Sequence, residues 1–152
     1  MKASSFLTKE QKELIISAIK EAESDTSGEI RVHIETHCHG DALDRAVWVF
    51  HKLGMDRTKQ KNGVLFYLAV ADRKFAVIGD SGINSKVPEG FWNQVKELLG
   101  KYFSAGLFAE GLAEGIKLAG RQLKAFFPYR KDDINELSDD ISFGTLRDKE
   151  EK

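Results

Sequence analysis

The chain has 152 residues, with 23 Lys and Arg against 24 Asp and Glu and a formal net charge of −1. That length suffices for one domain with a real core, and the balanced charge argues against a basic nucleic-acid surface. A single cysteine, Cys38, excludes an intrachain disulfide and a Cys-based zinc motif, and no apolar run approaches the ~20 residues needed to span a membrane.

The N-terminal stretch MKASSFLTKEQKELIISAIK has no apolar signal core, because charges interrupt its apolar residues. The expectation is a cytoplasmic monomer with no membrane and no nucleic-acid partner. Thr8 to Glu23 reads as an amphipathic helix. Thr8 and Gln11 fit a capping box, and Leu14, Ile15, Ala18, Ile19 and Ala22 form its stripe. Glu29 to Thr36 alternates: Ile30, Val32 and Ile34 face one way, and Glu29, Arg31, His33 and Glu35 the other. That pattern predicts a half-buried strand near a sheet edge. Asp41 caps a second helix that runs to about Leu53 and stops at Gly54.

The segment from Asn62 to Asn84, NGVLFYLAV-ADRK-FAVIGDSGIN, organises the chain. Val64 to Ala71 is apolar at every position, as in a strand covered on both faces. A polar break and the run Phe75–Ile78 complete a hairpin. Strand, helix, strand is a βαβ unit, so the first two strands are expected to be parallel. Two further helices follow. One carries Phe91, Trp92, Val95, Leu98, Leu99, Tyr102 and Phe103. The other runs from about Ala109 to Phe127, with Leu112, Ile116, Ala119, Leu123 and Phe126 buried and Gly111 and Gly115 allowing close approach. The expected architecture is α/β: a three-layer α/β/α sandwich with a small mixed sheet, a βαββ core flanked by helices. Residues 1–128 form the domain and 129–152 a polar tail.

This topology gathers Glu29, Arg57, Asn62 and Asp80 at one sheet edge, where the glycine-containing segments Asn62-Gly63 and Gly79–Gly82 converge. Asp80 and Glu29 offer hard oxygen ligands for calcium or magnesium, Asn62 and loop carbonyls complete a shell, and Arg57 suits a phosphate. The plainer alternative makes Glu29 and Arg57 a surface pair and Asp80 a turn residue. His33, His37, Cys38 and His39 match no established zinc spacing and read as a loop with exposed histidines. Asp132, Asp133, Glu136, Asp139 and Asp140 lack the spacing of a calcium loop and read as solvated tail. No Walker A, G-x-S-x-G or G-x-G-x-x-G motif occurs.

Four stretches together resemble the TPM domain family: Ser27-Gly28-Glu29-Ile30, the strand beginning Asn62-Gly63-Val64-Leu65, the Asp72-Arg73-Lys74 turn, and the Gly79–Asn84 loop followed by FSAGLFAEGL at 103–112. The resemblance spans about Leu7 to Phe127. It implies an α/β/α sandwich and a calcium or magnesium site in acidic loops at one end of the sheet, and acid phosphatase activity has been ascribed to some members. Carried over by position, the metal set is Glu29, Asn62, Asp80 and Asn84, with Arg57 and Asp80 as catalytic residues. The substrate would then be a phosphorylated small molecule or protein. The loop departs from the family pattern, since Asn84 stands where an acid is usual and Asp80 adds a carboxylate nearby. A non-catalytic, metal-dependent interaction module is the rival expectation.

Overall fold

The computed structural model describes residues 5–130 and 136–144. Asp132 and Asp133 of the acidic tail lie outside the described residues. The elements in chain order are α1 (Lys9–Asp25), β1 (Glu29–Glu35), α2 (Ala42–Lys52), a 3-10 turn (Met55–Arg57), β2 (Gly63–Ala69), β3 (Lys74–Gly79), α3 (Ser81–Asn84), α4 (Asn93–Ser104), α5 (Phe108–Leu123) and β4 (Ser142–Phe143).

β2 sits inside a four-stranded mixed sheet of order β3-β2-β1-β4. β1 and β2 are parallel with Glu29 beside Gly63, and β2 and β3 are antiparallel with Val64 beside Gly79. Every residue of β2 is buried, which is why its sequence shows no polar alternation. Ile30, Val32 and Ile34 of β1 and Val64, Phe66 and Leu68 of β2 pack on α1, α4 and α5. Leu65, Tyr67 and Ala69 face Ala46, Val49 and Phe50 of α2 on the other side. The result is the expected α/β/α sandwich.

The capping box of α1 forms: Thr8 Oγ1 accepts from the Gln11 amide at 3.1 Å, and Gln11 Oε1 accepts from the Thr8 amide at 2.8 Å. Ile15, Ala18, Ile19 and Ala22 are buried, whereas Leu14, at the shoulder of the stripe, is 39 % exposed. Gly111 and Gly115 do allow a close approach. A Cβ on Gly111 would stand 2.7 Å from Tyr102 Cβ, and one on Gly115 2.7 Å from Leu99 Cδ2.

Three local expectations change. α5 ends at Leu123, so Phe126 turns outward and Phe127 takes the buried place; the Phe127 carbonyl accepts from the Ser27 amide at 2.9 Å. The Gly79–Asn84 loop contains a helical turn, α3. β1 is also buried on its polar face, with His33 and Glu35 fully inaccessible and Glu29 nearly so. α2 covers Glu35 through Arg45, and the segment read as tail covers Glu29 and His33. β4 pairs in parallel with β1, His33 beside Ser142 and Ile34 beside Phe143, and Gly144 donates its amide to the Ile34 carbonyl at 3.0 Å.

Candidate functional site

The hairpin brings its two ends together as the topology requires. The Asp80 amide donates to the Gly63 carbonyl at 2.9 Å, and the Glu29 amide donates to the Asn62 carbonyl at 2.9 Å. Glu29, Asn62 and Asp80 therefore start or end three neighbouring strands at one end of the sheet. Gly82 locks α3 against the preceding loop, because a Cβ there would collide with the carbonyl oxygens of Gln60 and Lys61. Lys61, with φ of 53°, holds the left-handed conformation that L-residues seldom adopt, and it precedes Asn62 directly.

Each predicted site residue has a defined place. Asp80 is the N-cap of α3: its Oδ1 accepts from the Ser81 amide at 2.7 Å, while its Oδ2 is buried with no hydrogen-bond partner. Asn62 is 4 % exposed; its Nδ2 donates to the Ser27 carbonyl at 2.6 Å, and its Oδ1 is buried without a partner. Asn84 lies exposed on α3, with Nδ2 donating to the Gly79 carbonyl at 2.9 Å. Arg57 is exposed at the end of the 3-10 turn, its guanidinium beside Gly54. Glu29 is tied to the C-terminal segment, with Oε1 accepting from the Glu136 and Leu137 amides at 2.7 Å each. Burial raises the Glu29 carboxyl above its ordinary range despite those two donors.

A neighbouring carboxyl was not legible in the sequence. Glu23, near the end of α1, accepts from the Ile30 amide at 2.9 Å. Burial, a hydrogen bond with Asp139 and the charge of Glu29 together push it up to about 9. Its only sequence signal is a position on the flank of an amphipathic helix.

A second polar group lies on the α2 side of β1. Arg45 of α2 grips Glu35 in a fork, Nε to Oε2 and Nη2 to Oε1 at 2.9 Å each. Tyr67 donates its hydroxyl to Glu35, and His33 Nε2 lies 3.2 Å from Glu35 Oε1. His33 Nδ1 reaches Ser142 Oγ at 2.9 Å. Burial pushes the Glu35 carboxyl up, but His33, Arg45 and Tyr67 outweigh it and bring the group down to about 2. His33 is thus a satisfied core histidine. His37 instead pairs with Asp72 at 3.2 Å on the surface, and the buried Cys38 donates its amide to Asp72 at 2.7 Å. Among the described residues, no group of three or more His, Cys, Asp or Glu side chains is arranged to hold a metal ion. A cation at the sheet end would therefore rest on amide, carboxylate and carbonyl oxygens together.

The TPM domain matches residues 1–122. The chain belongs to the TPM domain family. The BA42 protein of the psychrophilic bacterium Bizionia argentinensis, solved by NMR, is 48 % identical to this TPM protein over 93 % of this chain and 97 % of its own, with a TM-score of 0.87. The N-terminal domain of a P. gingivalis protein shares the fold at 21 % identity, covering 82 % of this chain and 80 % of that one, with a TM-score of 0.68. The N-terminal domain of the cg2496 protein from Corynebacterium glutamicum does so at 11 % identity, over 98 % of this chain and 86 % of that one, with a TM-score of 0.64. Among curated proteins none matches this chain. No helix of the described residues is long and apolar enough to cross a membrane.

Proposed function

We propose that this TPM domain binds a divalent cation, calcium or magnesium, at the sheet end formed by Glu29, Asn62, Asp80 and Asn84. The observation that carries this reading is a pair of buried, unpartnered oxygens, Asn62 Oδ1 and Asp80 Oδ2, on segments joined by the Asp80–Gly63 hydrogen bond. A buried acceptor without a donor is costly, and hard oxygens of this kind suit calcium or magnesium. Asn84 Oδ1, which lies over Gly79, and the second oxygen of Glu29 are the remaining ligands of the proposed set.

A bound cation would supply a fixed positive charge and a Lewis-acid centre. The protein's own contribution is to hold β2, β3 and α3 in register around it. Asp80 has one oxygen committed to capping α3, so it can ligate through Oδ2 but is not a mobile nucleophile. That favours a metal-ordered binding module over turnover. Hydrolysis of a phosphate monoester is the second reading, supported by the exposed guanidinium of Arg57 at the same end of the sheet, which would pair with phosphoryl oxygens.

The deciding experiment is a calcium and magnesium titration followed by backbone amide NMR. The expected result is saturable shifts at Asn62, Gly63 and residues 79–84, with affinity reduced at least about tenfold in Asp80→Ala. Shifts confined to Glu136, Asp139 and Asp140, or none at all, overturn the site. For the second reading, metal-dependent turnover of p-nitrophenyl phosphate should be present and should fall in Arg57→Ala with metal affinity unchanged. Absence of turnover in the metal-loaded protein leaves the binding module.

A further inference from the structure

The string at 103–112, one of the four stretches that carry the family resemblance, plays no part in the site above. It lies at the other end of the sheet, where Phe103, Ser104 and Phe108 line a cleft of about 170 Å³ together with Leu68, Phe75 and Gly100. Arg73 completes the lining. Three observations set this cleft apart from an ordinary packing gap.

The first is Gly100. It stands inside α4, where glycine weakens a helix. Gly111, Gly115 and Gly120 are explained by crowding, since a Cβ on each would meet a neighbour at 2.7 Å. A Cβ on Gly100 would meet only Phe75 Cζ, at an ordinary 3.9 Å. No contact within the described residues requires a glycine there, and its missing side chain leaves the cleft open.

The second is Arg73. It holds φ of 54° in the hairpin turn, a conformation that side-chain-bearing residues seldom adopt. Its neighbour Lys74 is fully engaged, donating to the Cys38 and Gly40 carbonyls at 3.0 and 2.7 Å. Arg73 is an exposed residue of the cleft lining, and among the described residues no acceptor engages its guanidinium.

The third is the wall. Phe75 and Phe103 meet edge to face at 5.2 Å, and Phe103 and Phe108 stack at 5.3 Å. A cavity of about 150 Å³ lined by apolar side chains is large enough for a benzene-sized molecule. A ligand that fits both the wall and the cation has a compact apolar body and one anionic oxygen pair.

We propose that this cleft is a binding site for a small monocarboxylate with an aromatic or short aliphatic body, its carboxylate on Arg73 and its body against Phe75, Phe103 and Phe108. The site is separate from the proposed cation site and does not depend on it.

The test is an amide NMR titration of the full chain with benzoate, and with benzyl alcohol as the neutral molecule of similar shape. Benzoate should give saturable shifts centred on Leu68, Phe75, Gly100 and Phe103. Arg73→Gln should weaken benzoate about tenfold while leaving benzyl alcohol unchanged, since a charged hydrogen bond is removed and the apolar wall is not. Gly100→Leu should abolish both by filling the cleft. Gly100→Ala, whose methyl fits without displacement, should weaken both and serves if the leucine variant does not fold. The absence of saturable shifts at these amides overturns the proposal. So does benzoate binding that survives Arg73→Gln undiminished, because the cleft would then be apolar without selecting a carboxylate.

Discussion

Glu35 is fully buried and stays ionised because three donors converge on it. Arg45 supplies two parallel hydrogen bonds, and Tyr67 and His33 fill the remaining directions. A buried charge of this kind is stable only while its partners remain. Arg45→Ala should therefore cost about 3 kcal/mol, measured by urea unfolding at pH 7. Little change would mean that water reaches Glu35 once the arginine is gone. The sign of the pH effect follows from the depressed carboxyl, which titrates at about 2 when folded. Its stabilisation is present above the ordinary glutamate range and is lost as pH falls through about 2. None of this network could be read from the alternation of β1, which shows that Glu35 and His33 share a face but not that the face is covered.

α5 is held between two neighbours by absent side chains. Gly115 admits Leu99 of α4, and Gly120 admits Ala22 of α1. The Gly111 and Gly115 spacing made the first approach legible. The second was not, because pairing Gly120 with Ala22 needs the α1–α5 crossing itself. Gly120→Ala would press a methyl within 2.8 Å of the Ala22 backbone, and overpacking against backbone costs about 1–3 kcal/mol. Gly100→Ala should do the reverse and stabilise the protein by roughly 0.5–1 kcal/mol, the helix preference of alanine over glycine. Thermal unfolding of the two variants side by side reads the contrast. Equal losses would mean that α4 cannot accept a Cβ at Gly100 and that the cleft is narrower than it looks.

The segment 136–144 ties α1 to β1. It runs beside β1, anchors on Glu29 through two amides, brings Asp139 to Glu23 and places Ser142 on His33. Three of the groups it gathers, Glu23, Glu29 and Asp139, are acidic, and burial, with Asp139 and Glu29 beside it, pushes the Glu23 carboxyl up to about 9. Between the ordinary glutamate value and about 9, the folded state binds a proton that the unfolded chain has released, so this group makes stability fall as pH rises through that window. Glu23→Gln keeps an acceptor for the Ile30 amide without the charge. It should be more stable at pH 7 by on the order of 1–3 kcal/mol, with the advantage gone near pH 4. Parallel stability profiles for the two proteins from pH 4 to 9 would show that Glu23 is ionised in the fold.

The sequence by itself determined the four long helices, the first three strands and their order, but neither α3 nor β4. Capping residues, glycine stops and apolar periodicity are local; the βαβ rule then fixed the parallel pairing of β1 and β2, and the hairpin the meeting of Asn62 with Asp80. What it could not determine was what covers each polar face. A carboxylate on a strand reads the same whether it meets water, an arginine fork or another carboxyl, because the partner lies far along the chain. Only the tertiary structure decided that Glu35 is buried and paired, that Glu23 is partly buried with its carboxyl pushed up to about 9, and that Ser142–Phe143 adds a fourth strand beside β1. It also decided that Asn62 and Asp80 each keep one buried oxygen without a donor. Desolvation and hydrogen-bond partnership belong to the folded surroundings, whereas helix and strand patterning belong to the chain.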